Sequence, residues 1–169
     1  MTSRITGAFL IIAGCGSLGI RMVRNQMHQE KLLRKLIMAV TFMEQELQYR
    51  LTPLPELLRS ASRQVKGEIG VLLNRVASEL DSQILPDVTS CMDKILQQTE
   101  FPGFLRKILR NLGLSLGNFD LSGQLAGLRE TESFCRAELQ KMEEGKRQRY
   151  RSYETLGVCT GAALVILLI

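Results

Sequence analysis

A chain of 169 residues with four cysteines, one histidine and no tryptophan is long enough for one core and short of the groups most enzymes use. Its net charge of +5 is uneven: residues 21–35 hold five bases against one acid, residues 141–154 hold five against three, and residues 36–140 hold eleven against thirteen. That pattern excludes a nucleic-acid face, which needs bases and stacking rings across the domain itself, and the cysteines, with no CxxC spacing and no histidine cluster, exclude a zinc site.

The first element is Ile5–Ile20, an uncharged run of 16 residues. A helix needs about 20 apolar residues to cross a hydrocarbon layer roughly 30 Å thick. Met22 and Val23 extend the run if Arg21 snorkels outward, and the glycines at 7, 14, 16 and 19 would admit a neighbouring helix. The 3.6-residue period then takes over. Leu33, Leu36, Val40, Met43 and Leu47 form one stripe on a long helix that continues out of the first segment. It ends near Thr52-Pro53-Leu54-Pro55, where Thr52 is placed to cap a second helix whose first turn tolerates proline. Leu54, Leu57, Leu58, Ala61 and Val65 face its core side, and Gly67 closes it.

A third helix carries Ile69, Leu72, Leu73, Val76 and Leu80. Pro86 opens a fourth with Val88, Cys91, Met92 and Ile95, and Pro102 a fifth with Leu105, Ile108, Leu109 and Leu112. Gly113–Gly117 reads as a loop with positive-φ glycines. The last helix starts near Asp120, which is placed to cap it, and shows Leu121, Leu125, Leu128, Cys135, Leu139 and Met142 before running into Leu156–Ile169, an uncharged run of 14 residues. Tyr150 and Tyr153 suit the headgroup level below that run. No alternating stretch between hairpin turns reads as a strand. The fold expected is all-α: an antiparallel bundle of about six helices, the long first and last paired as its spine.

The bases just inside the two apolar runs set the topology. Arg21, Arg24, Lys31, Arg34 and Lys35 follow the first; Lys141, Lys146, Arg147, Arg149 and Arg151 precede the second. By the positive-inside rule both flanks face the cytoplasm. Residues 1–22 and 153–169 are then transmembrane helices, 23–152 is a cytoplasmic helical bundle, and both termini lie on the far side. The basic flanks suit anionic membrane lipids, and the four cysteines behave as small apolar side chains in a reducing compartment. A second reading stays open: Ile12-Ala13-Gly14-Cys15 resembles a lipoprotein cleavage box, which would make the chain an envelope lipoprotein or an extracytoplasmic membrane-anchored binding module.

Catalytic chemistry is thin. No GxxxxGK[ST], GxGxxG, GxSxG or HExxH occurs. Glu44 and Glu46 are a carboxylate pair, but positions i and i+2 on a helix point about 200° apart and cannot share a substrate. A non-enzyme without metal or cofactor is expected.

Three stretches together resemble one family. Leu47-Gln48-Tyr49-Arg50-Leu51-Thr52-Pro53-Leu54-Pro55-Glu56, with Glu44 and Glu46 before it, looks like the E-x-E-x-x-Y-x-x-T-P-L-P-E segment of stage III sporulation protein AB. Leu112-Gly113-Leu114-Ser115-Leu116-Gly117, with Asp120 and Gln124 after it, is similar to that family's L-G-x-x-L-G-x-x-D segment, and Tyr153-Glu154-Thr155-Leu156-Gly157, then Gly161 and Ile166–Ile169, to its closing span. One departure is the insertion-like Arg149-Tyr150-Arg151-Ser152 before that span. The resemblance implies a spore-forming bacterium and a bundle like the F-type platform domain of type II secretion and type IV pilus systems. It also implies a role in a channel between mother cell and forespore, in the mother-cell membrane around the forespore, with a secretion-type ATPase and other membrane subunits as partners. Self-association is left open, and no catalytic residue is carried over.

The candidate partner-binding residues are Glu44, Glu46 and Tyr49 with the turn Thr52, Pro53, Leu54, Pro55 and Glu56. A proline-stiffened turn presents a fixed surface at low entropy cost. The competing reading puts Tyr49 and Leu54 in the core and leaves the carboxylates as solvated helix positions. The region Arg129–Glu132 is the next choice.

Overall fold

A computed structural model describes the backbone of residues 2–82, 87–117 and 120–168, and the side chains of residues 24–82, 87–117 and 120–145. Its elements are α1 (Thr2–Arg50), α2 (Leu54–Gln64), α3 (Glu68–Asp81), α4 (Val88–Gln97), α5 (Gly103–Leu116) and α6 (Leu121–Leu168). No strand occurs among the described residues. Successive helices pack against each other and α6 returns to α1, which closes the ring. The pairs Arg34–Glu143 at 2.8 Å and Arg129–Glu44 at 2.6 Å show that α1 and α6 run antiparallel, since rising numbers on one meet falling numbers on the other.

The apolar stripes explain the packing. On α1, Leu32, Leu33, Leu36, Ala39, Val40, Met43 and Leu47 are buried, and on α6 Leu128 and Cys135 are buried with Leu125, Leu139 and Met142 packed against the core. The short helices add Leu57, Leu58, Ile69, Leu73, Met92, Ile95, Leu105 and Leu109, all nearly inaccessible. Each such side chain contributes about 1.5–3 kcal/mol on leaving water, so every helix is fixed by its stripe rather than by propensity alone. Among the described residues Thr131 is the one buried polar residue, and its hydroxyl donates to the Gly127 carbonyl one turn back at 2.8 Å.

Helix ends follow local chemistry. Asp87 caps α4 by accepting from the Ser90 N–H at 3.2 Å. Asp120 caps α6 in the same way, from the Gly123 N–H at 2.8 Å. Pro53 and Pro102 stand at the N-caps of α2 and α5. Gly67, at φ 99°, makes the α2–α3 turn in a conformation few other residues adopt.

Two local expectations are corrected. Gly113–Gly117 is not a loop: α5 runs through to Leu116, and Gly117 has φ −74°. The reason for Gly113 is close approach, because a Cβ there would stand 3.1 Å from the Met92 Cβ on α4. Thr52 does not cap α2; its hydroxyl donates back to the Glu46 carboxylate at 3.3 Å, and Pro53 takes the cap position.

Among the described residues no helix is long and apolar enough to cross a membrane. The segments 5–20 and 156–169, on which the expected spans fall, lie outside the residues whose side chains are described, as do Cys15, Cys159, Tyr150 and Tyr153. Pro86, expected to open α4, also lies outside them.

Candidate functional site

The up-and-down order sorts the inter-helix turns onto two ends. Residues 51–53, Ser82, Asp87, Gly117 and Asp120 lie at the end away from the apolar segments; residues 65–67 and 98–102 lie at the near end. The candidate residues therefore gather at the far tip, where α1 stops and α2 begins.

The structure brings some of them together and separates others. Glu44 faces α6, where its carboxylate accepts from Arg129 Nε at 2.6 Å; its side chain is 17% exposed. Glu46 points away from Glu44, as the 200° offset requires. It accepts from Thr52 Oγ1 at 3.3 Å and lies 3.5 Å from Arg50 Nη1. One carboxylate thus pins α1 to α6, and the other ties the end of α1 to the turn that follows.

Tyr49 is 80% exposed, which sets aside its reading as a core residue. Phe42, Gln45, Glu46, Tyr49 and Arg50 share one face of the last turns of α1 and line a shallow groove of about 250 Å³. In the turn Pro53 and Glu56 are exposed, while Leu54 and Pro55 are half-buried and Leu54 packs against the core. Glu56 stands in the first turn of α2, where its charge suits the helix dipole.

Sequence reasoning missed Leu51. It sits at φ 51°, the left-handed region, with its side chain 66% exposed. For a residue with a Cβ this costs about 1–2 kcal/mol, and such outliers cluster where function holds them. The signal was readable: α1 must stop before Thr52-Pro53, and the position after Arg50 holds Leu where helices prefer Gly. Arg129, the partner of Glu44, was legible only as part of the next-choice region.

Ionisation is altered elsewhere. The Ser90 hydroxyl holds Asp87 below the ordinary carboxylate range, and Ser122, then the Gly123 N–H, do so for Asp120. Burial pushes the Cys91 thiol up, and that of Cys135 up to about 12. His28 faces Glu68 at 3.3 Å rather than a nucleophile. Among the described residues no group of His, Cys, Asp and Glu could hold a metal ion.

The site is therefore a surface: an exposed aromatic and an exposed leucine beside a stiff turn, on the far tip of a six-helix antiparallel bundle. The class of protein is an all-α antiparallel helical bundle. The family pattern described as stage III sporulation protein AB matches residues 4–169, and the chain belongs to that family. A solved structure of a stage III sporulation protein AB, SpoIIIAB, shares the fold with a TM-score of 0.62 at 18% identity, covering 72% of this chain and 98% of that one. No curated protein sequence matches the chain.

Proposed function

We propose that this chain is a non-enzymatic, membrane-anchored platform subunit of a sporulation-specific, secretion-like channel between mother cell and forespore. Residues 1–22 and 153–169 anchor it in the mother-cell membrane around the forespore, and the bundle projects into the cytoplasm. Family membership supports the sporulation role, and the family pattern includes both apolar segments. The ten bases inside those segments support the topology.

The far tip docks the secretion-type ATPase and other membrane subunits. The observation that carries this is the exposed pair Tyr49 and Leu51, at 80% and 66%, on a turn stiffened by Pro53 and Pro55. Interfaces draw on rigid aromatic anchors held by a fixed backbone. Glu44, Glu46 and Thr52 shape the tip from within, and Pro53, Leu54, Pro55 and Glu56 complete its rim.

Leu51→Gly with Tyr49→Ala tests this. Glycine relieves the positive φ while removing the side chain, and Tyr49 contributes little to the core, so stability should stay within about 1 kcal/mol. The expected result is normal abundance with sporulation blocked after engulfment. Normal sporulation would place docking elsewhere, and degradation of the variant would make the pair structural.

A further inference from the structure

The bundle is electrically polar along its axis. Residues 24–37, 59–75, 94–109 and 133–145 form the half nearer the apolar segments and hold thirteen bases against six acids. The far half, residues 38–58, 76–82, 87–93, 110–117 and 120–132, holds three bases against ten acids. These segments together are neutral, with +7 at one end and −7 at the other. Three ion pairs, Arg59–Asp81, Lys94–Glu79 and Arg136–Glu132, bridge the halves; removing them still leaves +4 against −4.

The near end is built from two turns that approach each other. Arg75 on α3 donates to Gln98 at 2.6 Å, and a groove of about 360 Å³ lies between Gly67, Glu68, Val71, Leu72, Arg75 and Thr99. Arg63, Lys66, Arg106 and Lys107 are exposed around these turns. His28 meets Glu68 at 3.3 Å, and Lys35 donates to the Lys66 carbonyl. Residue 28 is seven positions past Arg21, so the α2–α3 turn begins about 10 Å above it along the helix. Headgroups occupy roughly 5–8 Å of that height. The turns thus stand within about one Debye length of the headgroup surface, where charge is still felt.

We propose that the residue 65–67 and 98–102 turns are feet: the basic end of the bundle seats on the anionic phospholipid headgroups of its own membrane, and the acidic end is driven outward. This rests on the reading that the apolar segments span a bilayer. Attraction at one end and repulsion at the other exert a torque that holds the bundle upright. The tip bearing Tyr49 and Leu51 is then presented away from the membrane before any partner arrives.

Energy transfer in the full chain tests the seating. Gly103 begins α5 beside the second foot, and nothing lies within 4 Å of a Cβ added there. Gly103→Cys, in a chain that also carries Cys15→Ser and Cys159→Ser, is labelled with a polar donor after reconstitution into vesicles carrying a headgroup-linked acceptor. Cys91 and Cys135 are buried and stay unreacted. Transfer from position 103 should rise by about twofold when phosphatidylglycerol replaces much of the phosphatidylcholine, and the rise should vanish in high salt. A donor at Glu56→Cys should show no rise. Arg63→Glu, Lys66→Glu and Lys107→Glu together should abolish the rise at 103 without lowering the melting temperature; should that variant not fold, loss of the rise in salt carries the test.

Equal transfer in both kinds of vesicle, or a rise that survives salt, overturns the seating while leaving the anchored platform standing. Release of the chain from vesicles by alkaline wash overturns both. No other protein is present, so an acidic protein partner cannot produce the expected rise.

Discussion

Gly127 on α6 is where the packing can be tested most sharply. A Cβ built there would overlap the Ser115 Cβ and lie 3.2 Å from the Ser115 Cα. The obstacle is the root of a side chain and its backbone, so α5 and α6 must separate to admit a methyl group. Alanine gains about 1 kcal/mol over glycine inside a helix. Overpacking costs about 1–3 kcal/mol, and a forced separation of two backbones belongs at the upper end of that range. Gly127→Ala should therefore lose about 1–2 kcal/mol in all, or several degrees in melting temperature for a domain of this size. Ser115→Gly in the same chain removes the overlapping atoms and should restore most of the loss, a coupling of about 1–2 kcal/mol. Thermal and denaturant unfolding of the single and double variants, followed by circular dichroism, measure this. A Gly127→Ala protein as stable as the parent, or a double variant no better than the sum of the singles, would refute the close α5–α6 approach.

Replacing Leu36, fully buried on α1, by Asp leaves an unpaired charge inside and should cost about 3–5 kcal/mol, whereas Leu36→Met should cost under about 1.5 kcal/mol; equal melting temperatures for both variants would put this stripe in solvent. Asp87 and Asp120 ionise more readily folded than unfolded. Their contribution is thus complete above the unfolded value of 3.8 and disappears as pH falls through their lower folded values. Asp87→Asn with Asp120→Asn should flatten that part of the stability–pH curve, and an unchanged acid limb would remove the two caps from the acid response.

The fold was legible because its signals are periodic. Leu33, Leu36, Val40, Met43 and Leu47 on α1, and Leu128 and Cys135 on α6, are buried as their spacing requires. Errors fell where a residue's role depends on a neighbour distant in sequence. Gly113 and Gly117 look like turn glycines until α4 is seen against α5, and Met92 then explains why position 113 is small. Thr52 has the chemistry of a cap, but the Glu46 carboxylate six residues back captures its hydroxyl. Glu44 gave no hint of its partner, because Arg129 stands 85 residues away. Tyr49 and the proline turn were legible as neighbours at the end of α1, whereas Leu51, at φ 51°, reads in the sequence as an ordinary apolar letter beside Thr52.

Docking at the far tip is tested most directly by a photocrosslinking residue at position 49 in sporulating cells, with the same residue at position 134, another exposed aromatic site but on the side of α6, for comparison. Tip docking predicts a covalent adduct with the secretion-type ATPase from position 49 and none from position 134. An adduct from position 134 alone, or no ATPase adduct from either position while the protein is abundant and sporulation proceeds, would contradict it.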